Sequence, residues 1–297
     1  MISKSAAAHR TVLIETASIL EQFQSEREII LGVCGSADEV TTYMPSARNV
    51  IVIGVPYGKK LSFERDGKIR GVLSQIAVGV DYHKTLKDML SELDSRLKRR
   101  HEDSGFAYES KRHVDAGPLP EKTLAVRAGL GFIGRNNLVI SEKYGSFFNI
   151  GCLVTNIDAD IPYERVTGGC GKNNCVGCAK CVEACPGKAL DNGYDREKCA
   201  SYLTQIKRAL TEDEKRIIGN RLYGCDDCQS ACPFNKDKYA GEINEIDAVM
   251  PETESILGMD KTRFGGVYGK SSLYWRGLDI FKRNARIVND NAPPSRT

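Results

Sequence analysis

The sequence predicts an α/β (or α+β) domain followed by a ferredoxin-like domain with two [4Fe–4S] clusters. Three observations lead there. β-branched runs such as "NVIVIGVPY" alternate with amphipathic helical stretches up to about residue 160. After "DADIPYERVTGG" the composition turns to cysteine, glycine and proline. Within that second stretch, "CVGCAKCVEACP" spaces four cysteines C-x2-C-x2-C-x3-C before a proline, the spacing of a bacterial ferredoxin run. The expected boundaries are 1–163 for the α/β domain, 164–238 for the cluster domain, and 239–297 for a linker and a tail packed on the domains.

Along the chain, residues 5–24 place Val12, Leu13, Ala17 and Leu20 on one side of a helix. "NVIVIGVPY" reads as a buried strand ended by proline. Residues 72–100 repeat apolar side chains near i, i+3, i+4, from Val72 and Leu73 to Leu93 and Leu97. They predict the longest helix, closed by "KRR" at the negative end of its dipole. "NLVIS" and "FFNIGCLVTNI" read as strands joined by an "EKYGS" turn. "GLGFIG" matches G-x-G-x-x-G, with Asp158 and Asp160 downstream. It follows a helical stretch and leads into a turn and a strand, the reverse of a dinucleotide site, so its glycines are expected to serve a tight turn.

The bulk numbers exclude some function classes. The chain has 297 residues, 41% hydrophobic and 27% charged, with net charge +3. That charge is too small to argue by itself for nucleic acid or membrane binding. No apolar run approaches the roughly 20 residues of a membrane span. The N-terminus lacks the apolar core of a signal peptide, so a cytoplasmic protein is expected. Eight of the eleven cysteines lie between Cys175 and Cys232. In a reducing compartment such spacing points to metal rather than disulfides.

In two-cluster ferredoxins the fourth cysteine of a run serves the other cluster. A second set is present in "YGCDDCQSACP", one ligand short, and Cys199 in "REKCASYLT" supplies it. Cluster one is therefore expected on Cys175, Cys178, Cys181 and Cys232, and cluster two on Cys185, Cys199, Cys225 and Cys228. Paired zinc sites are the alternative, though zinc motifs commonly use separated C-x2-C pairs. Cys152 is expected to be a small buried hydrophobe, Cys34 either buried or exposed, and Cys170, five residues before the first ligand, is a candidate alternative ligand.

Several ordered motifs over residues 45–290 resemble the epoxyqueuosine reductase family. They are "RGVLSQIAVGVDYHKTL", "HVDAGPLPEKTLAVRAGLGFIGRNNLVISEKYGSFFNIG", "CVGCAKCVEACPGKAL", "CASYLT" and "GNRLYGCDDCQSACPFN". The resemblance implies cobalamin bound beside the ferredoxin-like domain, and reduction of an epoxide on a modified tRNA base to an alkene. It implies Asp115 of the "VDAGP" stretch as proton donor and cofactor contact. A confined carboxyl group can have a raised pKa and donate a proton; the plainer role of "DAGP" is a turn. Ser201, Asp226 and Val139 are implied as cobalamin contacts, against ordinary loop or strand packing. His83 and His113 are conceivable cobalt ligands, with a structural histidine as the plainer reading.

The resemblance also implies an external electron donor, such as a flavodoxin or ferredoxin, and tRNA as partner. The chain ends at Thr297, where family members continue into helical repeats that help hold tRNA. A short member is therefore expected, with the tRNA expectation weakened. Lys282, Arg283 and Arg286 of the tail would touch phosphates or be solvated. Two other functions stay open at this stage: a corrinoid reductase of a small molecule, and a non-catalytic electron carrier.

Overall fold

The computed structural model describes residues 16–62, 66–103, 105, 107–157, 175 and 177–292. Cys170, Val12, Leu13, Asp158, Asp160 and the expected boundary at 163–164 lie outside them. The chain divides into two compact units. The first contains residues 1–56, 83–134 and 138–174; the second contains 57–82, 135–137 and 175–297. The division is discontinuous: residues 57–82 interrupt the expected first domain, and the tail belongs to the second unit.

The first unit is built on a four-stranded antiparallel sheet. In spatial order its strands are Ile30–Gly35, Asn49–Pro56, Phe148–Thr155 and Ser110–His113. The two central strands are apolar because both faces are covered. Val50, Val52, Cys152 and Val154 face a core shared with Leu124 and Ala125 of the helix Glu121–Arg127. On the other face, Gly151, with Ile53 beside it, meets the helix Tyr82–Asp103. Leu86, Leu90, Leu93 and Leu97, at i, i+4, i+7 and i+11, are fully buried on that helix. Burying each contributes about 1.5–3 kcal/mol. A Cβ at Gly151 would stand 3.1 Å from Leu86 Cδ2 and 3.2 Å from Leu90 Cδ1, so glycine lets this helix lie close to the sheet.

Residues 16–25 are helical, with Leu20 and Phe23 fully buried. The expected helix over 72–100 begins ten residues late. Val72–Leu73 is a strand, Gln75–Ala77 a 3-10 turn, and Gly79 takes φ +86° before the helix starts at Tyr82. The apolar repeat is real but serves two cores. Leu73 and Ala77 pack with Leu222, Ile256 and Phe281 in the second unit, whereas Leu86 onward serves the first.

"GLGFIG" follows the helix Glu121–Arg127 and enters a hairpin of Phe132–Ile133 with Val139–Ile140. Gly131 has φ +159°, and a Cβ there would stand 2.0 Å from the Ile140 carbonyl oxygen. The glycines thus make a helix-to-strand turn.

The second unit pairs Val72–Leu73 in parallel with Arg221–Tyr223. Over this pair lies the last helix, Leu278–Asn291, which buries Leu278, Phe281, Ala285 and Val288. Asn284, fully buried, donates to the carbonyl oxygens of Thr204 (2.8 Å) and Leu222 (2.7 Å). Arg283 donates to the carbonyl oxygens of Ile206 (2.6 Å), Leu203 (3.2 Å) and Thr204 (3.3 Å), which gathers three acceptors onto one guanidinium. Arg283 is therefore neither a free phosphate ligand nor a solvated charge, as the sequence suggested; of its neighbours, Lys282 is part-buried and Arg286 exposed.

Candidate functional site

Two groups of side chains carry chemistry, one in each unit. In the first unit the edge strand Ser110–His113 ends in a buried histidine, and the chain turns through "VDAGPLP" into the helix Glu121–Arg127. The turn folds tightly over the His113 ring: a Cβ at Gly117 would stand 2.3 Å from its Cε1. Leu119, between two prolines, is 6% exposed and anchors the far side. Asp115 sits at the crest with φ +60°, a left-handed conformation that asparagine and aspartate tolerate better than most residues.

The Asp115 carboxylate is 54% exposed, and its Oδ2 lies 3.0 Å from His83 Nε2 at the start of the long helix. Its backbone N–H donates to Glu121 Oε1 at 2.6 Å. The other neighbour of Glu121 is His113, whose Nε2 lies 3.3 Å from the same oxygen. Asp115 is thus an outward-facing acid on a tightly held turn. Of the two histidines considered as cobalt ligands, His83 is Asp115's partner and His113 is buried beneath the turn.

Glu121 escaped the sequence reading. Its only local signal is an acidic first residue after proline at a helix start, which is usually a solvated position. Here the side chain is only 19% exposed. Burial pushes its carboxyl up from the ordinary 4.5 to about 7; the Asp115 N–H pulls the other way, and the Asp115 charge adds to the rise. His83 and Lys122 are the nearby charges that lower it.

This has a consequence for stability. Below about pH 4.5 folded and unfolded chains both hold the proton. Between about 4.5 and 7 only the folded chain keeps it, so stability falls as pH rises through that window. The loss is complete above pH 7 and amounts to at most about 3 kcal/mol. Glu121→Gln removes this titration. Urea denaturation at pH 5 and pH 8 should therefore show the variant gaining on the native chain at the higher pH. A difference that does not change with pH would disprove the burial effect.

In the second unit the cysteines lie on two matching segments. "GCAKCVEACP" and "GCDDCQSACP" each start with a glycine of positive φ (Gly177, 74°; Gly224, 71°). Each then forms one short helix, Lys180–Glu183 or Asp227–Ser230. The thiols assemble across the segments. Cys181 feels Cys175 and Cys232, and Cys232 feels Cys175 and Cys178. Cys228 feels Cys225, Cys199 and Cys185.

Burial is the main cause that pushes Cys225 up to about 11 and raises Cys181, Cys228 and Cys232. These thiols are stable as neutral groups until a metal displaces the protons. Backbone and side-chain donors reach the sulfurs: Ala189 N–H lies 3.2 Å from Cys185 Sγ, and the Arg221 guanidinium bonds Cys225. All ten described cysteines are free thiols. Among the described residues no three Cys, His, Asp or Glu side chains are arranged around a single ion. Cys34 and Cys152 are buried in the first core.

The residues implied as cobalamin contacts are placed as follows. Val139 is 4% exposed, and its side chain belongs to the first core. Both carboxylate oxygens of Asp226 are occupied: Oδ1 accepts from Ser74 Oγ at 2.6 Å and Oδ2 from Gln75 N–H at 2.7 Å. Burial raises its pKa. Ser201 is part-buried, and its carbonyl accepts from Thr204 Oγ1 and Gln205 Nε2.

Comparison with known proteins is consistent with this geometry. Residues 174–235 match the family described as "4Fe-4S double cluster binding domain", and residues 38–116 match "Epoxyqueuosine reductase QueG, DUF1730". The chain is 35% identical to epoxyqueuosine reductase of Lactococcus garvieae, over 84% of this chain and 70% of the relative. It is also 35% identical to that of Bacillus cereus, over 82% of this chain and 64% of the relative. It therefore spans a little under two thirds of some curated relatives. A crystal structure of epoxyqueuosine reductase with a tRNA-Tyr epoxyqueuosine-modified stem loop superposes with TM-score 0.82 at 26% identity, covering 94% of this chain and 82% of that one.

Proposed function

Since the chain belongs to the epoxyqueuosine reductase family, we propose that it reduces the epoxide of epoxyqueuosine in tRNA to the alkene of queuosine. Two C–O bonds break, a C=C bond forms, and the oxygen leaves as water. The balance needs two electrons and two protons. Electrons from an external donor, such as a flavodoxin or ferredoxin, enter through two [4Fe–4S] clusters. Cys175, Cys178, Cys181 and Cys232 hold one; Cys185, Cys199, Cys225 and Cys228 hold the other. The pairing of thiols across the two segments supports this ligand set.

Cobalamin, when bound, supplies the reducing cobalt centre. Asp115 and Ser201 would contact it, whereas the side chains of Val139 and Asp226 are engaged within the fold. Among the described residues no helix is long and apolar enough to cross a membrane.

The observation that supports the activity most is Asp115. Its carboxylate faces outward on a held turn, with His83 Nε2 3.0 Å away to return a proton after each donation. The test is anaerobic reconstitution with iron, sulfide and cobalamin, followed by incubation with reductant and an anticodon stem loop carrying epoxyqueuosine. Retained cobalt and a product lighter by one oxygen are expected. A chain that holds its clusters but neither retains cobalt nor changes the nucleoside would overturn the reading.

A further inference from the structure

Asp115 can serve only if its backbone stays where the turn puts it, and an isolated turn would not keep it there. A left-handed non-glycine residue is strained and persists only when its surroundings over-determine it. Leu119 anchors one end of the turn. The His113 ring lies under Gly117 and bonds the Asp115 main chain. The Asp115 N–H donates to Glu121 Oε1 at 2.6 Å. We infer that Glu121 is a positioning residue, a latch that fixes the Asp115 turn and so aims its carboxylate at the substrate. This rests on the reading of Asp115 as the proton donor.

The geometry favours a latch over a second acid. Glu121 faces inward, 3.3 Å from His113 Nε2, while the Asp115 carboxylate projects the other way toward His83. Its oxygen meets the main chain, so the contact sets φ rather than a side-chain rotamer. Glu121 also starts a helix whose Leu124 and Ala125 are fully buried in the first core. The latch therefore ties the turn to the rigid part of the unit. Burial that raises the carboxyl toward neutrality is consistent with a group shielded from water on its inner side. Loss of the latch removes the Glu121 acceptor from the Asp115 N–H and loosens the turn, so the carboxylate is held less firmly beside His83.

The experiment compares Glu121→Ala, Glu121→Asp and Glu121→Gln in cluster-loaded protein with two readouts. The first is hydrogen exchange of the Asp115 amide, followed by mass spectrometry on peptides spanning 110–120. The alanine variant should exchange roughly 10-fold faster there, the worth of one hydrogen bond to a carboxyl group. The aspartate variant keeps the carboxyl group but lacks the reach, and should resemble alanine. The glutamine variant keeps an acceptor oxygen and should resemble the native chain.

The second readout is steady-state reduction of the stem loop. The alanine and aspartate variants should lose about 10–100-fold in kcat with KM unchanged, and glutamine should recover most of it. Unchanged exchange in both the alanine and aspartate variants overturns the latch. So does faster exchange with native kcat, because the turn would then be held without consequence for catalysis. If Asp115→Asn turns over at the native rate, the proton-donor reading fails, and the exchange data still decide whether Glu121 holds the turn.

Discussion

Asp115→Asn should retain both clusters and lose about 10²–10⁴-fold in turnover, the usual worth of a positioned general acid. Asparagine is the informative replacement. It tolerates the left-handed conformation at φ +60°, so the turn survives while the acid is removed. Alanine would remove the acid and strain the turn together. The carboxylate is more than half exposed and its side-chain contact is to His83, so no core contact is lost and stability should change little. Iron and sulfide analysis, with the absorbance of the clusters, checks that the variant is loaded. Single-turnover reduction then reads the chemistry. A loaded Asn variant that turns over like the native chain would remove Asp115 from the reaction and return it to a turn residue.

The second large effect concerns which cysteines share a cluster. If each run held its own cluster, Cys181 and Cys185 would serve the same one. In the structure Cys181 neighbours Cys175 and Cys232, whereas Cys185 neighbours Cys228. The two arrangements give opposite results in double variants. Cys185→Ser/Cys225→Ser should keep about four of about eight irons, because both residues serve one cluster. Cys181→Ser/Cys185→Ser should lose both clusters. Iron content and the electron paramagnetic resonance of the reduced protein distinguish the cases. The reverse pattern would restore the sequential assignment.

The cysteine pattern was legible because cluster ligation is a local constraint. A cubane demands thiolates at short, fixed spacing, and that spacing is written in consecutive residues from Cys175 to Cys185 and from Cys225 to Cys232. The central strands were legible for a similar reason: a strand covered on both faces must be apolar throughout, as Asn49–Pro56 and Phe148–Thr155 nearly are. The helix over 72–100 was only half legible. Its apolar period continues across two cores, and periodicity records burial without saying against what.

The sequence by itself thus determined the fold class and the eight candidate cysteine ligands, and through the family resemblance it singled out Asp115. Tertiary structure alone decided what surrounds that acid. His83 is 32 residues away on another element, and Glu121 looks like a solvated helix start until the fold buries it. Tertiary structure likewise turned Arg283 from a surface charge into a cap on three carbonyl groups, and committed the Asp226 carboxylate to Ser74 and Gln75. The physical reason is the same in each case. Burial and hydrogen-bond partners are properties of neighbours in space, and a single polar residue carries no periodic signal of who those neighbours will be.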